Sequence, residues 1–248
     1  MFFAIIFLLL FSSPQFVNPG MVGSYEVVEQ VPEETVAEPV EPPLEIDEDL
    51  KIAYLTFDDG PTVFLADILA ILAEYEVKAT FFMLEPQMWS HQEVLKDLAA
   101  AGHGLGLHGV SHNYKQFYAS PESAREEMNT AQATLETITG VRTVLVRTPY
   151  GSSPYLKPAH REILEMEGFK IWDWNVDSRD WFYRDQRMVE DTLQQLAALE
   201  QKNEVPVILL HERSETVKFL PQILEYLLAH DYSLQVPDEE TVPVQFTH

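Results

Sequence analysis

The chain contains no cysteine and few basic residues, and both features exclude classes of function. Without cysteine it forms no disulfide, no thiolate zinc site and no thiol nucleophile. Its 248 residues include 16 basic and 40 acidic side chains, for a net charge of −24. Because an acidic surface repels the phosphate backbone, we predict no nucleic-acid partner. The G-x-S-x-G elbow is also missing, which argues against a serine hydrolase.

The first 50 residues contain no lysine or arginine. Residues 1–11 are uniformly apolar, a run too short to cross a bilayer comfortably and more typical of a signal-peptide core. No basic residue precedes the run and no A-x-A cleavage site follows it, so a truncated or mis-started leader is the alternative. We predict a signal peptide or membrane anchor over residues 1–23 and an extracellular or cell-surface location in a bacterium.

Residues 24–50 combine ten acidic residues with four prolines. A segment of this composition cannot bury enough apolar surface to offset the entropy lost on ordering. We therefore predict a disordered acidic tether over residues 24–50, which joins the leader to a folded, monomeric catalytic domain over residues 51–248.

Within this domain, short apolar runs alternate with amphipathic stretches. The runs predict strands at 52–57, 79–84, 104–107, 144–147, 169–176, 205–211 and, more weakly, 233–236. Apolar residues at a spacing of three to four predict helices between them, near 62–75, 91–101, 121–139, 157–167, 186–201 and 216–230. Strict alternation indicates an α/β fold with a parallel sheet, either a barrel or a doubly wound sheet.

Polar side chains fall at or just beyond the ends of these strands, which favours a barrel. The carboxyl ends of barrel strands meet at one rim, where active sites are assembled. The residues at these positions are Asp58, Asp59, His108, Arg147, Asp177 and His211.

Two short segments, at 58–59 and at 108–112, together contain candidate ligands of a metal site. His108 and His112 are spaced i,i+4 and can bind one ion together, and Asp59 would complete a set of two histidines and one carboxylate. Asp58 then remains free to accept a proton from a metal-activated water that attacks a carbonyl. Taken alone, the segment TFDDGP at 56–61 is also an ordinary turn sequence.

Three further segments add a cation, aromatic rings and a histidine. They are RTPYG at 147–151, the stretch WNVDSRDW at 174–181 and LLH at 209–211. Aromatic rings beside hydrogen-bonding groups suit sugar rings, although tryptophan is equally good core material. For RTPYG the alternative is a turn that ends a strand, and for LLH it is a buried core histidine.

In this order the five segments resemble the polysaccharide deacetylases with a NodB homology domain, also classified as carbohydrate esterase family 4. The family motifs appear as TFDDGP, HxxxH, RxPYG, DxxDW and LxH, and the resemblance covers residues 51–236. It implies a distorted (β/α) barrel of about seven parallel strands. It also implies an enzyme that removes N-acetyl groups from a polysaccharide.

The resemblance assigns roles to individual residues. Asp58 would be the general base, oriented by Arg147, and His211 the general acid, held and charged by Asp180. The metal ligands would be Asp59, His108 and His112. Tyr150 would offer its backbone N–H to the oxyanion, and Trp181 and Leu209 would line the acetyl pocket. Two positions depart from the family pattern. Gly109 stands where a serine or threonine is common, with Ser111 as the candidate to supply that hydroxyl, and Asn113 stands where a proline frequently follows the second histidine.

The chemistry requires these residue types, because an amine leaves only when it is protonated. A histidine with a raised pKa, next to a carboxylate, can protonate it. The cofactor is predicted to be one divalent ion. Zinc is the preferred choice, and the same ligands also accept cobalt, nickel or manganese. Peptidoglycan is the first predicted substrate. A chitin-like oligomer, an acetylxylan acted on by the same site, and a non-catalytic glycan-binding module are the alternatives.

Overall fold

A computed structural model of the protein describes residues 51–246. The leader and tether predicted over residues 1–50 lie outside the described residues. The strands are β1 (Lys51–Gly60), β2 (Thr80–Met83), β3 (Gly104–Leu107), β4 (Leu145–Val146), β5 (Lys170–Ile171), β6 (Val176–Asp177), β7 (Val207–His211) and β8 (Tyr232–Leu234). Over this range no helix combines the length and the apolar character needed to cross a membrane.

The helices lie between the strands, and the six predicted ones are present within a few residues of their expected bounds. They are α1 (Leu65–Glu74), α2 (Glu85–Ser90), α3 (Gln92–Ala100), α4 (Tyr114–Phe117), α5 (Pro121–Thr139), α6 (Pro158–Met166), α7 (Asp180–Tyr183), α8 (Arg187–Glu200) and α9 (Ser214–Ala229). The short helices α2, α4 and α7 were not predicted, because four to six residues are too few to establish a helical period.

All the strand pairs are parallel, in the order β5-β4-β3-β2-β1-β7-β6, with β8 added along the start of β1. Alternate residues of a strand face opposite sides. Leu55 and Phe57 therefore pack against the outer helices, while Tyr54 faces an inner cluster around Trp172 and Phe82. This curled parallel sheet with helices outside it confirms the predicted distorted (β/α) barrel.

The single strand predicted at 169–176 is wrong, since it forms two short strands on opposite edges of the sheet. β5 pairs with β4, and β6 pairs with β7. Between them, the backbone N–H of Asp173 donates to the carbonyl of Val244 at 2.8 Å. The C-terminal segment thus occupies part of the opening between the two edges, and its Val244 packs on the inner cluster.

A buried histidine just before the start of β3 makes the folding stability depend on pH. The Nδ1 atom of His103 accepts the backbone N–H of Ala79 at 3.2 Å. Burial lowers the pKa of His103 from 6.5 to about 4, and the nearby Lys78 charge contributes to the shift. Between these two values the unfolded chain binds more protons than the folded chain. Stability therefore falls as the pH falls through this window.

We expect His103→Asn to flatten this pH dependence, because the asparagine oxygen can accept the same N–H but does not titrate. Between pH 6.5 and 4, the wild type should lose on the order of 2 kcal/mol more of its unfolding free energy than the variant. Urea unfolding at each pH measures the difference. Acid release of any bound metal affects both proteins alike, so parallel pH profiles would contradict the assignment to His103.

Candidate functional site

A cleft of about 360 Å³ opens at the carboxyl ends of the strands. Its walls come from the carboxyl-terminal parts of β1, β6 and β7 and from the segments that follow β3, β4, β5, β6 and β7, as expected of a barrel rim. They include eight of the predicted site residues and three others, namely Asp58, Asp59, His108, His112, Tyr150, Trp174, Asp177, Trp181, Leu209, His211 and Arg213. The remaining two predicted residues, Arg147 and Asp180, lie fully buried behind these walls.

Asp58 and Asp59 both reach the cleft because the strand is irregular between them. Neighbouring residues of a regular strand face opposite sides of the sheet. Here the pairing of β1 with β2 shifts register between Asp58 and Gly60, and Asp59 has a φ of 71°. A bulge of this kind re-aims a side chain beside an active site. On the other edge of β1, Asp58 pairs directly with His211 of β7.

Asp59, His108 and His112 form a group that fits a metal ion. Oδ1 of Asp59 lies 3.3 Å from Nε2 of His112 and 3.5 Å from Nε2 of His108. A tetrahedral ion with bonds of about 2.0–2.1 Å needs its ligand atoms roughly 3.3 Å apart. Oδ1 of Asp59 is also buried and has no hydrogen-bond partner among the described residues. The three side chains therefore suit a divalent cation.

The electrostatics of the group also favour the forms that bind metal. Burial alone would raise the pKa of Asp59, but the neighbouring His108, His112, His211 and Arg213 outweigh it and lower this pKa. Burial and the charge of His108 lower the pKa of His112. An ionised carboxylate and a neutral imidazole are the states that coordinate a metal.

The backbone of the neighbouring strand orients His108. Its Nδ1 atom lies 2.6 Å from the carbonyl oxygen of Arg147, and its ring is buried. A hydrogen bond from Nδ1 to that carbonyl leaves Nε2 directed towards Asp59 as the free ligand atom. Such a partner fixes the tautomer and the ring orientation of a ligating histidine.

Asp58 is held by a fully buried arginine. Nη1 of Arg147 donates to Oδ1 of Asp58 at 2.9 Å and to the hydroxyl of Thr56 at 2.8 Å. Its other nitrogens donate to the carbonyls of Trp172 and Asp173. Each nitrogen of the guanidinium thus has a partner, and only Oδ2 of Asp58 remains free to meet a ligand in the cleft.

His211 has a buried carboxylate behind it. Its Nδ1 atom lies 2.7 Å from Oδ1 of Asp180, and its backbone N–H donates to Oδ2 at 2.7 Å. Thr216 and the backbone N–H of Trp181 also donate to this carboxylate. Burial lowers the pKa of His211, but the hydrogen bond to Asp180 and the surrounding carboxylates outweigh it, so the pKa lies above 6.5. Nε2 is left facing the cleft.

Tyr150 combines an exposed ring with a strained backbone. Its φ is 65°, a left-handed value that non-glycine residues seldom adopt outside functional sites and turns. Its hydroxyl donates to the carbonyl oxygen of His112 at 3.1 Å. No acceptor for its own backbone N–H is present in residues 51–246. Trp181 and Leu209 lie in the same cleft, as predicted.

The comparison with known proteins decides the family. Residues 46–171 match the family model described as polysaccharide deacetylase. The chain belongs to the polysaccharide deacetylase family. The predicted enzyme class and the resemblance noted in the sequence are thereby confirmed.

Two relatives and one solved structure illustrate the similarity. The Bacillus subtilis protein YheN is 45% identical over 196 residues, which cover 78% of this chain and 70% of YheN. A peptidoglycan-N-acetylglucosamine deacetylase of Bacillus cereus is 36% identical over 203 residues, 80% of this chain and 74% of that protein. The crystal structure of the Bacillus cereus polysaccharide deacetylase Bc1974 superposes with a TM-score of 0.70 at 35% identity. It covers 79% of this chain and 97% of the solved one.

Several residues that shape the site of this polysaccharide deacetylase were not predicted. Asp173 accepts hydrogen bonds from the backbone N–H and hydroxyl of Ser152 and from the backbone N–H of Phe246. It joins the loop that bears Tyr150 to the C-terminal segment. Trp174, which lines the cleft, packs edge-on against Phe246. Asp173 lies beside the aromatic cluster noted in the sequence, but no spacing rule identifies its partners.

Glu212 was also missed, although it follows His211 directly. Its Oε2 atom accepts the backbone N–H of Thr62 at 2.6 Å, and burial raises its pKa to about 7. A Cβ atom on Gly60 would lie 1.8 Å from Oε1 of this side chain. Gly60 is therefore needed for the loop after β1 to approach β7.

Glu127 of α5 holds the loop that bears the two histidines. Its Oε2 atom accepts the backbone N–H groups of Val110 and Ser111, both at 2.9 Å, and its Oε1 atom accepts the Ser111 hydroxyl at 2.6 Å. Gly109 has a φ of +87°, and a Cβ atom there would lie 3.1 Å from the same carboxylate. The Ser111 hydroxyl thus anchors this loop in the deacetylase, through a partner that the sequence does not identify.

We expect Glu127→Ala to weaken metal binding by roughly 10-fold, the lower end of the cost of removing a group bonded to a metal ligand, because Glu127 contacts only the loop between the two histidines. The loop would lose three hydrogen bonds, so the position of His112 would be less restricted. Competition with a chromophoric chelator measures the dissociation constant without reference to activity.

Glu126→Ala is the matched control, because Glu126 is the exposed neighbour on the same helix. It should leave the metal affinity unchanged. Glu127→Gln, which keeps an acceptor for the two N–H groups, should fall between the wild type and Glu127→Ala. Equal affinities for Glu127→Ala and Glu126→Ala would contradict the proposed anchoring.

Proposed function

We propose that this deacetylase hydrolyses the N-acetyl groups of a GlcNAc-containing polysaccharide, and that peptidoglycan is its preferred substrate. The observation that supports this most is that Asp58 and His211 both line one cleft, with Oδ2 of the carboxylate and Nε2 of the imidazole left without a hydrogen bond to the described part of the protein. Each of the two side chains is fixed from behind, by Arg147 and by Asp180. A module that only binds glycans needs no such pair of oriented acid and base groups. Relatives named peptidoglycan deacetylases favour that polymer.

The donor set of the site suits one divalent cation. Asp59, His108 and His112 would hold it, zinc first, with cobalt, nickel or manganese accepted by the same ligands. When bound, such an ion lowers the pKa of a water molecule towards about 7 and polarises the acetyl carbonyl.

Asp58 acts as the general base in this proposal. Its Oδ1 atom is engaged by Arg147, whereas Oδ2 lies 3.7 Å from Nε2 of His108, on the side of the metal ligands. Oδ2 takes a proton from the attacking water while the water oxygen bonds to the acetyl carbon. A positioned base of this kind typically contributes about 10²- to 10⁴-fold to the rate.

His211 completes the reaction as the general acid. With Nδ1 directed to Asp180, its Nε2–H faces the cleft and donates a proton to the sugar nitrogen as the carbon–nitrogen bond breaks. The products are acetate and the free amine of the sugar. The backbone N–H of Tyr150 would stabilise the negative charge that develops on the carbonyl oxygen. Trp181 and Leu209 would enclose the methyl group.

Acetate release across three substrates tests the proposal. Purified protein loaded separately with zinc, cobalt, nickel or manganese is incubated with peptidoglycan, chitin oligomers or acetylxylan. We expect the greatest release from peptidoglycan. Release from acetylxylan alone would redirect the assignment to an esterase, and no release from any polymer with any metal would overturn the enzyme proposal.

The location of the substrate accounts for the composition of the N-terminal region. A cell-wall polymer lies outside the membrane, so we propose that residues 1–23 export or anchor the protein. Residues 24–50 would then let a monomeric catalytic domain reach the wall. Fractionation of the producing cells, with detection of the catalytic domain in the membrane, wall and medium, tests this arrangement.

A further inference from the structure

Three tyrosine rings form an exposed surface beside the cleft. Tyr114, Tyr150 and Tyr155, here called the tyrosine surface, are 44%, 50% and 39% exposed. Their ring centroids lie 5.4 Å apart for Tyr114 and Tyr155, 6.4 Å for Tyr114 and Tyr150, and 6.5 Å for Tyr150 and Tyr155. The rings come from α4 and from the loop after β4. The two segments therefore build one continuous aromatic patch.

The tyrosine surface is joined directly to the catalytic cleft. The ring of Tyr150 lies 4.7 Å from that of His112, and its hydroxyl donates to the carbonyl of the same residue. Beneath the surface, the mostly buried ring of Tyr118 packs 5.7 Å from Tyr155. The Tyr118 hydroxyl lies within hydrogen-bond distance of the Pro149 and Gly151 carbonyls. The patch thus rests on a fixed support and extends outward from a metal ligand.

The chemistry of the outer rings suits a pyranose. An aromatic face packs against the C–H groups of a sugar, and a phenol exchanges hydrogen bonds with its hydroxyl groups. In the described part of the chain, the hydroxyls of Tyr114 and Tyr155 make no hydrogen bond to protein. The hydroxyls of Tyr118 and Tyr150 are both engaged. The two outer rings therefore present both an apolar face and free polar groups to a ligand.

We propose that Tyr114 and Tyr155 form a second sugar site, which binds a pyranose further along the same glycan chain while another sugar is deacetylated in the cleft. This inference rests on the proposed function. A polymer that extends past His112 and Tyr150 meets these rings next, whereas a short oligomer that fills the cleft does not. The site therefore gives the enzyme a preference for longer chains.

Chain-length dependence tests the second sugar site. The metal-loaded wild type, Tyr114→Ala and Tyr155→Ala are compared on GlcNAc oligomers of two and of five sugars. For each variant we expect KM for the pentamer to rise roughly 3- to 10-fold, the range expected for loss of one aromatic contact. The kcat for the pentamer, and both constants for the dimer, should stay close to wild type. Tyr155→Phe should retain most of the preference, because it keeps the ring.

Trp89→Ala is the control, since Trp89 is an exposed aromatic residue that does not line the cleft. It should leave both substrates unaffected. A tyrosine that only supports the fold would change kcat for the dimer and the pentamer alike, and that result would overturn the second sugar site. Equal chain-length preference in the wild type and both alanine variants would overturn it as well. Failure of the wild type to deacetylate either oligomer or peptidoglycan would instead count against the proposed function.

Discussion

Asp58→Asn is expected to lower kcat by about 10²- to 10⁴-fold while the bound metal remains at its wild-type stoichiometry. The carboxamide keeps the shape of the side chain, and its oxygen can still accept a hydrogen bond from Arg147. It cannot take up a proton at neutral pH, so the attacking water loses its base. The metal ligands of the proposed site are other residues, and they keep their partners.

Acetate release and metal analysis on the same protein sample measure the two effects. Asp59→Asn is the matched comparison, because it changes the adjacent carboxylate that would bind the metal. It should lose metal and activity together, whereas Asp58→Asn should lose activity alone. If Asp58→Asn retains wild-type kcat, another group must be the base; if it loses the metal, Asp58 is itself a ligand.

Arg147→Met should lower the unfolding free energy by about 3–5 kcal/mol. Arg147 is fully buried, and its removal would take away the permanent positive charge that lies 2.9 Å from the carboxylate of Asp58 in a low-dielectric interior. The carbonyls of Trp172 and Asp173 would lose their donors as well. The interaction of the guanidinium with the ring of Phe82, 4.2 Å away, would also be lost. Urea unfolding of the metal-free protein measures the change.

Arg142→Met is the control for this experiment. Arg142 pairs with Glu136 at 2.6 Å, but both side chains are exposed, so its loss should cost no more than about 1 kcal/mol. The double variant Arg147→Met with Asp58→Asn should recover part of the lost stability, because it leaves no unpaired charge in the interior. If the double variant is no more stable than Arg147→Met, packing and the carbonyl partners account for the loss, and the ion pair does not.

The candidate site residues could be selected from the sequence because they fall in short local segments. The carboxylate pair lies within one short segment, and so do the two histidines at i,i+4 spacing. Each polar residue at a strand end belongs to the pattern of its own strand. The parallel sheet then follows from the alternation of strands and helices, and the polar residues at the strand ends favour a barrel, which brings those ends to one rim. These rules require no knowledge of which strands are neighbours.

The groups that support the site could not be predicted in this way. Glu127, Asp173 and Glu212 act through backbone atoms of distant segments, and hydrogen bonds to backbone groups leave no pattern in the sequence. The prediction at 169–176 failed for a related reason. An apolar run indicates a strand, but the C-terminal segment, far along the chain, occupies the position where that strand would have continued.

By itself, the sequence determined the family, the class of fold and the types of side chain available for chemistry. Only the tertiary structure decided how those side chains divide between the faces of the sheet. Asp58 and Asp59 are neighbours, and a regular strand would have turned them to opposite sides. The bulge at Asp59 turns both towards the cleft, while the buried Arg147, 89 residues away, engages one of them. Register and burial depend on contacts between segments that are remote in sequence, and a local pattern cannot specify them.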